Sequence, residues 1–196
     1  MRSPFLVLLH SPLATVEQWG RLPEELREAG VRCAAVEVND DDQPPYAARY
    51  VARASLEIAK AAPEAPLLLV AEGAAGALVP QVGGAQRAAH RPVAGYVLVD
   101  ALLPQPGVAT RADLRAAQLP GTTEDPRPAR PRPPEFFTEP LPLVADWPDA
   151  PCGYLLTTEH YRPCARMARM RGWPVVDRPT AASSPAGALL ELAAHM

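Results

Sequence analysis

The sequence predicts an α/β fold: a doubly wound, mainly parallel sheet with helices on both faces and a reduced, proline-rich lid. Three observations carry this. Short apolar runs alternate with longer amphipathic ones along the chain. The middle runs, such as "PLLLVA" at 66–71, are apolar on both faces, as in a sheet covered by helices on each side. The 196 residues fit one domain, 1–196, large enough to bury such a sheet.

In chain order, "FLVLLH" at 5–10 reads as the first strand. The charged start and short apolar run imitate a signal peptide, but Pro12 and the lack of an A-x-A cleavage site favour a buried strand. Residues 16–29 carry apolar positions at spacings of three and four and read as a helix. "VRCAAVEV" (31–38) then reads as a strand, 45–62 as a helix, 66–71 as a strand and 74–89 as a helix. "VAGYVLVD" (93–100) and "CGYLLTT" (152–158) are further strands, and 159–171 is a helix. "PVVDRP" (174–179) closes the sheet and "PAGALLELAAH" (185–195) is a last helix. Ligands of such open sheets bind at the carboxyl ends of the strands.

One segment breaks the rhythm. Pro104 to Pro151 contains 12 prolines, including "DPRPARPRPPEFF", a density that excludes a long helix or a central strand. Two readings stand for 105–150: a polyproline-type surface excursion, partly disordered, or a lid over a pocket with Phe136, Phe137 and Trp147 as anchors.

Composition removes several functions. A formal charge of −3 leaves no basic face for nucleic acid, although every basic residue except Lys60 is arginine. Cys33, Cys152 and Cys164 are too few and too scattered for a disulfide framework or a zinc site, and fit a reducing cytoplasm. No apolar run reaches the roughly 18 residues that cross a bilayer. "NDDDQ" (39–43) lacks the glycine and distal glutamate of a calcium loop and reads as a solvated turn. "TEHYRPCARM" gathers His160, Tyr161 and Cys164, too few ligands for a metal, and Met167 and Met170 read as core packing. No cofactor is indicated.

The stretch "LLLVAEGAAGALVP" (67–80) carries the chemistry question. Strand, "AEGAAG", then helix resembles the G-x-S-x-G nucleophile elbow of the alpha/beta-hydrolase superfamily, with Ala71, Gly73 and Ala75 in the places of Gly, Ser and Gly. "LLHSPLATVEQW", "GYVLVDALLPQPG" and "WPDAPCGYLLTTEHYRPCARMARMRGWPV" resemble, in order, further segments of small actinobacterial-type members. The resemblance covers most of the chain outside the proline-rich middle. It implies that Gly73 takes a positive φ at the nucleophile's position, and that Ser11, Pro12 and Ala74 border the oxyanion pocket.

What the elbow lacks is the hydroxyl, since no Ser, Thr or Cys occurs from 67 to 80. Acyl-enzyme chemistry needs a nucleophile and a base in reach of each other. The family's histidine follows the last strand, where this chain reads "DRPTAASSP" with Ser183 and Ser184 but no His; His195 falls after the last helix. Asp100 matches a family aspartate in "VDALLP" and reads either as an acid or as a cap of the following turn. Glu72 is either a buried proton-transfer group or a carboxylate held by the next helix's N–H groups. His10 and Ser11 border the same crevice: His10 is either a second proton-transfer candidate or a ring hydrogen-bonded to neighbouring loop backbone, and Ser11 or Thr15 a cap for the helix near Val16.

Three function classes follow. The first is a pseudo-hydrolase that binds a small apolar or acyl-type ligand, or a protein partner. The second is a non-hydrolytic cyclase, lyase or isomerase using Glu72 or His10. The third is an esterase with a displaced triad.

Overall fold

The computed structural model describes residues 3–61, 66–107, 109–121, 129–142, 146–178 and 184–196. Its elements run β1 (Phe5–Leu9), α1 (Leu22–Glu28), β2 (Cys33–Val36), α2 (Tyr46–Ala61), β3 (Leu67–Gly73), α3 (Val79–Ala88) and β4 (Val93–Ala101). Then come α4 (Arg111–Gln118), α5 (Pro134–Thr138), β5 (Cys152–Leu156), α6 (Arg162–Met170), β6 (Val175–Asp177) and α7 (Pro185–Ala194). The six strands pair in parallel in the order β2-β1-β3-β4-β5-β6.

Alternation along the strands divides the core. Val7 and Leu9, with Leu69 and Ala71, join the residues of α2 and α3 on one face. Leu6 and Leu8, with Leu68, Val70, Val97 and Val99, join those of α1 and α7 on the other. Successive strand side chains point to opposite faces, so both layers of helix are demanded by the same short apolar runs.

The helix expected at 16–29 is two pieces. A 3₁₀ turn, Val16–Trp19, ends at Gly20 with φ +50°, and α1 restarts with Pro23 in its first turn, where a missing N–H costs nothing. The strand β3 outruns its expected end at 71 and continues through Glu72 and Gly73. The chain goes from β1 outward to β2, then returns past β1 to β3, so the order reverses between the carboxyl ends of β1 and β3. That reversal leaves a crevice between two loops.

The proline-rich segment is more ordered than a surface excursion where it is described. Thr110 caps α4 through its side chain, which accepts from the Asp113 N–H at 3.1 Å. Phe136 is fully buried, an anchor worth about 1.5–3 kcal/mol, with the Arg111 guanidinium 4.1 Å from its ring centre. Trp147 packs between Tyr96 and Trp173. Glu139 accepts from the N–H groups of Tyr46 and Ala47 at the start of α2. Among its described residues regular structure is confined to the short helices α4 and α5, and side-chain anchors supply the rest of the order. Residues 122–128 and 143–145 lie outside the described residues.

Two smaller expectations are corrected. Asp41, expected in a solvated turn, is completely buried between Arg130 (2.9 Å) and Arg132 (2.7 Å), both from the proline-rich segment. Met170 is 86% exposed and does not pack in the core, whereas Met167 packs against the cluster around α4 and α6. Cys33, Cys152 and Cys164 are free and buried. Among the described residues no helix is long and apolar enough to cross a membrane.

Candidate functional site

A cavity of about 440 Å³ opens where β1, β3, β4 and β5 end. Its polar wall includes Ser11, Glu72, Asp100, Thr157 and His160, and Trp19, Leu22 and Leu189 are among its apolar side chains.

The elbow is built as the sequence implies. Gly73 closes β3 with φ +56°, a region that glycine enters freely and L side chains rarely adopt. The Ala75 N–H donates to the Glu72 carbonyl at 3.0 Å, and a 3₁₀ turn, Gly76–Leu78, leads into α3. Gly76 is required for another reason: a Cβ there would stand 2.3 Å from the Leu102 carbonyl oxygen. The residues at the cap positions of the turn and of α3, Ala75 and Leu78, make no side-chain cap bond. Glu72 is half-buried and lines the cavity.

The space above Gly73 is taken by the loop after β1. An added Cβ at Gly73 would lie 3.1 Å from both Cβ and Oγ of Ser11. Ser11 Oγ accepts from the N–H of Leu13 at 3.2 Å and of Ala74 at 3.4 Å. Ser11 therefore ties its own loop to the elbow and does not cap the helical turn at Val16. Thr15 holds the cap position there but makes no side-chain cap bond. Pro12 has no N–H to offer an oxyanion, and its carbonyl accepts from Nε and Nη2 of Arg132 at 2.9 and 2.8 Å.

His10 does not reach the cavity. It is completely buried, its Nε2 accepts from the Val38 N–H at 3.0 Å, and its Nδ1 donates to the Ser11 carbonyl at 2.8 Å. The Val38 donor fixes the tautomer, and burial holds the ring's pKa below its usual value. Both nitrogens are spent on backbone, which corrects the proton-transfer expectation and matches the other reading of His10, a ring bonded to loop backbone: it braces the loop that carries Ser11.

Asp100 caps no local turn. One residue before the end of β4, at φ +41°, it reaches across to the segment after β5, accepting from the Thr157 N–H at 2.8 Å, the Thr157 hydroxyl and the Thr158 N–H at 3.2 Å. Burial raises its carboxyl pKa, and these neutral donors pull it back down.

His160, set aside in the sequence as a weak metal ligand, lines the cavity together with Tyr161, whose ring meets it edge-on at 5.0 Å. Cys164 is on the other side, its thiol directed to Gln118. Every strand's carboxyl end faces this edge of the sheet, so the position of "TTEHY" just after β5 was the signal for its place here. Among the described residues no group of three or more metal-ligating side chains is assembled. Residues 179–183, with Ser183, lie outside the described residues. Ser184 donates to Glu25 at 2.6 Å, and His195 Nδ1 lies 2.7 Å from the Glu191 carbonyl at the end of α7.

No protein-family model matches the chain, and no curated protein matches it by sequence. Solved structures do match over nearly its whole length. An extracellular alpha/beta-hydrolase from a Paenibacillus species is 16% identical with a TM-score of 0.64, covering 98% of each chain. A pyrethroid hydrolase from Sphingobium faniae is 18% identical, TM-score 0.65, covering 98% of this chain and 96% of its own. Tomato methylketone synthase I, complexed with 2-tridecanone, is 13% identical, TM-score 0.63, covering 100% and 99%. With the parallel sheet and the strand-to-helix elbow, these likenesses establish the alpha/beta-hydrolase fold.

Proposed function

We propose that the chain is a pseudo-hydrolase: it keeps the pocket of the fold and uses it to bind a small, largely apolar or acyl-type molecule. The observation that carries this reading is the elbow itself, where Gly73 supplies no hydroxyl and Ser11 fills the space a side chain would use. The Ala74 N–H, which would serve an oxyanion, is engaged by Ser11, and Pro12 adds no donor. An acylation step thus lacks both its nucleophile at the elbow and its preformed anion site. The mixed wall and the size of the cavity suit a molecule with an apolar body and one polar group. Tomato methylketone synthase I, complexed with 2-tridecanone, is a solved example of the fold holding such a molecule. Three free buried thiols support a cytoplasmic setting.

A non-hydrolytic enzyme is the second reading, favoured by one observation: Glu72 and His160 line the same cavity. Titration with 2-tridecanone, alongside assays on p-nitrophenyl butyrate and octanoate, tests the first reading. Saturable binding without ester turnover is expected, and saturable turnover with an acylated protein overturns it. Glu72→Gln separates the second, because loss of a positioned acid or base lowers a rate by about two to four powers of ten while binding persists.

A further inference from the structure

We propose that Ser11 is the cavity's recognition residue for a neutral carbonyl group, its hydroxyl donating to the ligand's carbonyl oxygen. The proposal rests on the reading of the cavity as a binding site. A serine hydroxyl has two acceptor lone pairs and one proton to donate. The Leu13 and Ala74 N–H groups, at 3.2 and 3.4 Å, fill both acceptor positions. What the oxygen has left is its proton. Among the described residues no protein acceptor takes it, the residue is 7% exposed, and it lines the cavity. Placed in the cavity wall, that proton is available to an acceptor on a bound molecule.

The surroundings choose the acceptor. Two N–H groups donating to Oγ polarise the O–H bond and strengthen it as a donor. Asp100, held by neutral donors only, lines the same wall, so a ligand carboxylate would face a like charge, whereas a ketone, ester or amide oxygen would not. Gly73 completes the arrangement, since any Cβ there would press on Ser11 at 3.1 Å. The hydroxyl absent from the strand is thus present on the loop, turned from attack on a carbonyl to recognition of one.

Two fluorescent probes test this: the naphthyl ketone prodan, whose emission shifts to the red when its carbonyl accepts a hydrogen bond, and dimethylaminonaphthalene, which lacks the ketone. Ser11→Ala should weaken prodan binding about three- to tenfold, the value of one hydrogen bond, and move bound prodan's emission to the blue. Binding of dimethylaminonaphthalene should stay unchanged. Ser11→Cys keeps the bulk with a weak donor and should show the same selective loss, which covers the case of Ser11→Ala failing to fold. Equal loss for both probes, or no loss for prodan, overturns the role of Ser11 while the binding pocket stands. Failure of the wild-type protein to bind either probe overturns the pocket reading itself, and Ser11's role with it.

Discussion

Asp41 and Asp100 are both buried carboxylates at the carboxyl edge of the sheet, and the protein treats them in opposite ways. Asp41, after β2, is closed off from solvent and clasped by two guanidinium groups of the proline-rich segment. Arg132 also binds the Asp41 and Pro12 carbonyls, so the cluster pins that segment across the loop holding Ser11. Among the described residues no guanidinium meets Asp100; neutral donors of Thr157 and Thr158 hold it, and it borders the cavity. A charge neutralised by charges is scaffold. A carboxylate held by neutral donors beside open space stays sensitive to protons and ligands.

The sharpest way to break that contrast is Asp41→Ala, which leaves Arg132, 3% exposed at its side chain, without its carboxylate. Denaturant unfolding should show a loss of about 3–5 kcal/mol, the cost of stranding a buried charge. A loss under about 1 kcal/mol would make the cluster ornamental and the contrast void.

Thr157→Val should cost less, about 1.5–3 kcal/mol, because it removes a single hydrogen bond to a charged group. It should also leave a signature in pH. Asp100's folded pKa is raised above its ordinary 3.8, so just above that value the folded state keeps a proton the unfolded chain gives up, and stability falls as pH rises through this window. Loss of the Thr157 hydroxyl, which lowers that pKa, should extend the window upward. Stability against pH for both proteins reads it directly.

Gly73→Ala sharpens the account of the elbow. The left-handed backbone and the 3.1 Å contact with Ser11 together predict a loss of about 1–2 kcal/mol in thermal or denaturant unfolding. An ordinary backbone at this position would give a gain of about 0.4–1 kcal/mol instead.

The smallest effect belongs to His10. Its folded pKa lies below the ordinary 6.5, so protons bind the unfolded chain preferentially, and stability is lost as pH falls below that value. In NMR titration the His10 ring should titrate with a midpoint below 6.5.

The strands were legible because both-face apolar runs have few alternatives, and the elbow was legible because strand, small residues and helix follow one another in "LLLVAEGAAGALVP". Gly73's conformation followed from the same stretch. The burial of Asp41 was not legible: "NDDDQ" looks solvated until Arg130 and Arg132, far along the chain, fold back onto it. For His10 the sequence leaves two roles open, proton transfer or a bond to loop backbone, and only the placement of Val38 beside it decides for the second. Ser11 was seen as a possible helix cap, yet its partner is the Ala74 N–H, 63 residues away. Contacts of that separation leave no local pattern, and they decide what the site's polar groups do.

The central claim, that the fold keeps its elbow but not its acylation chemistry, meets its most direct test in active-site labelling. The purified protein is treated with an excess of a fluorophosphonate and its intact mass is measured. The account predicts an unchanged mass, with neither Ser11 nor any other serine modified. Stoichiometric addition of one phosphonyl group, mapped to Ser11 or to any other serine, would contradict it.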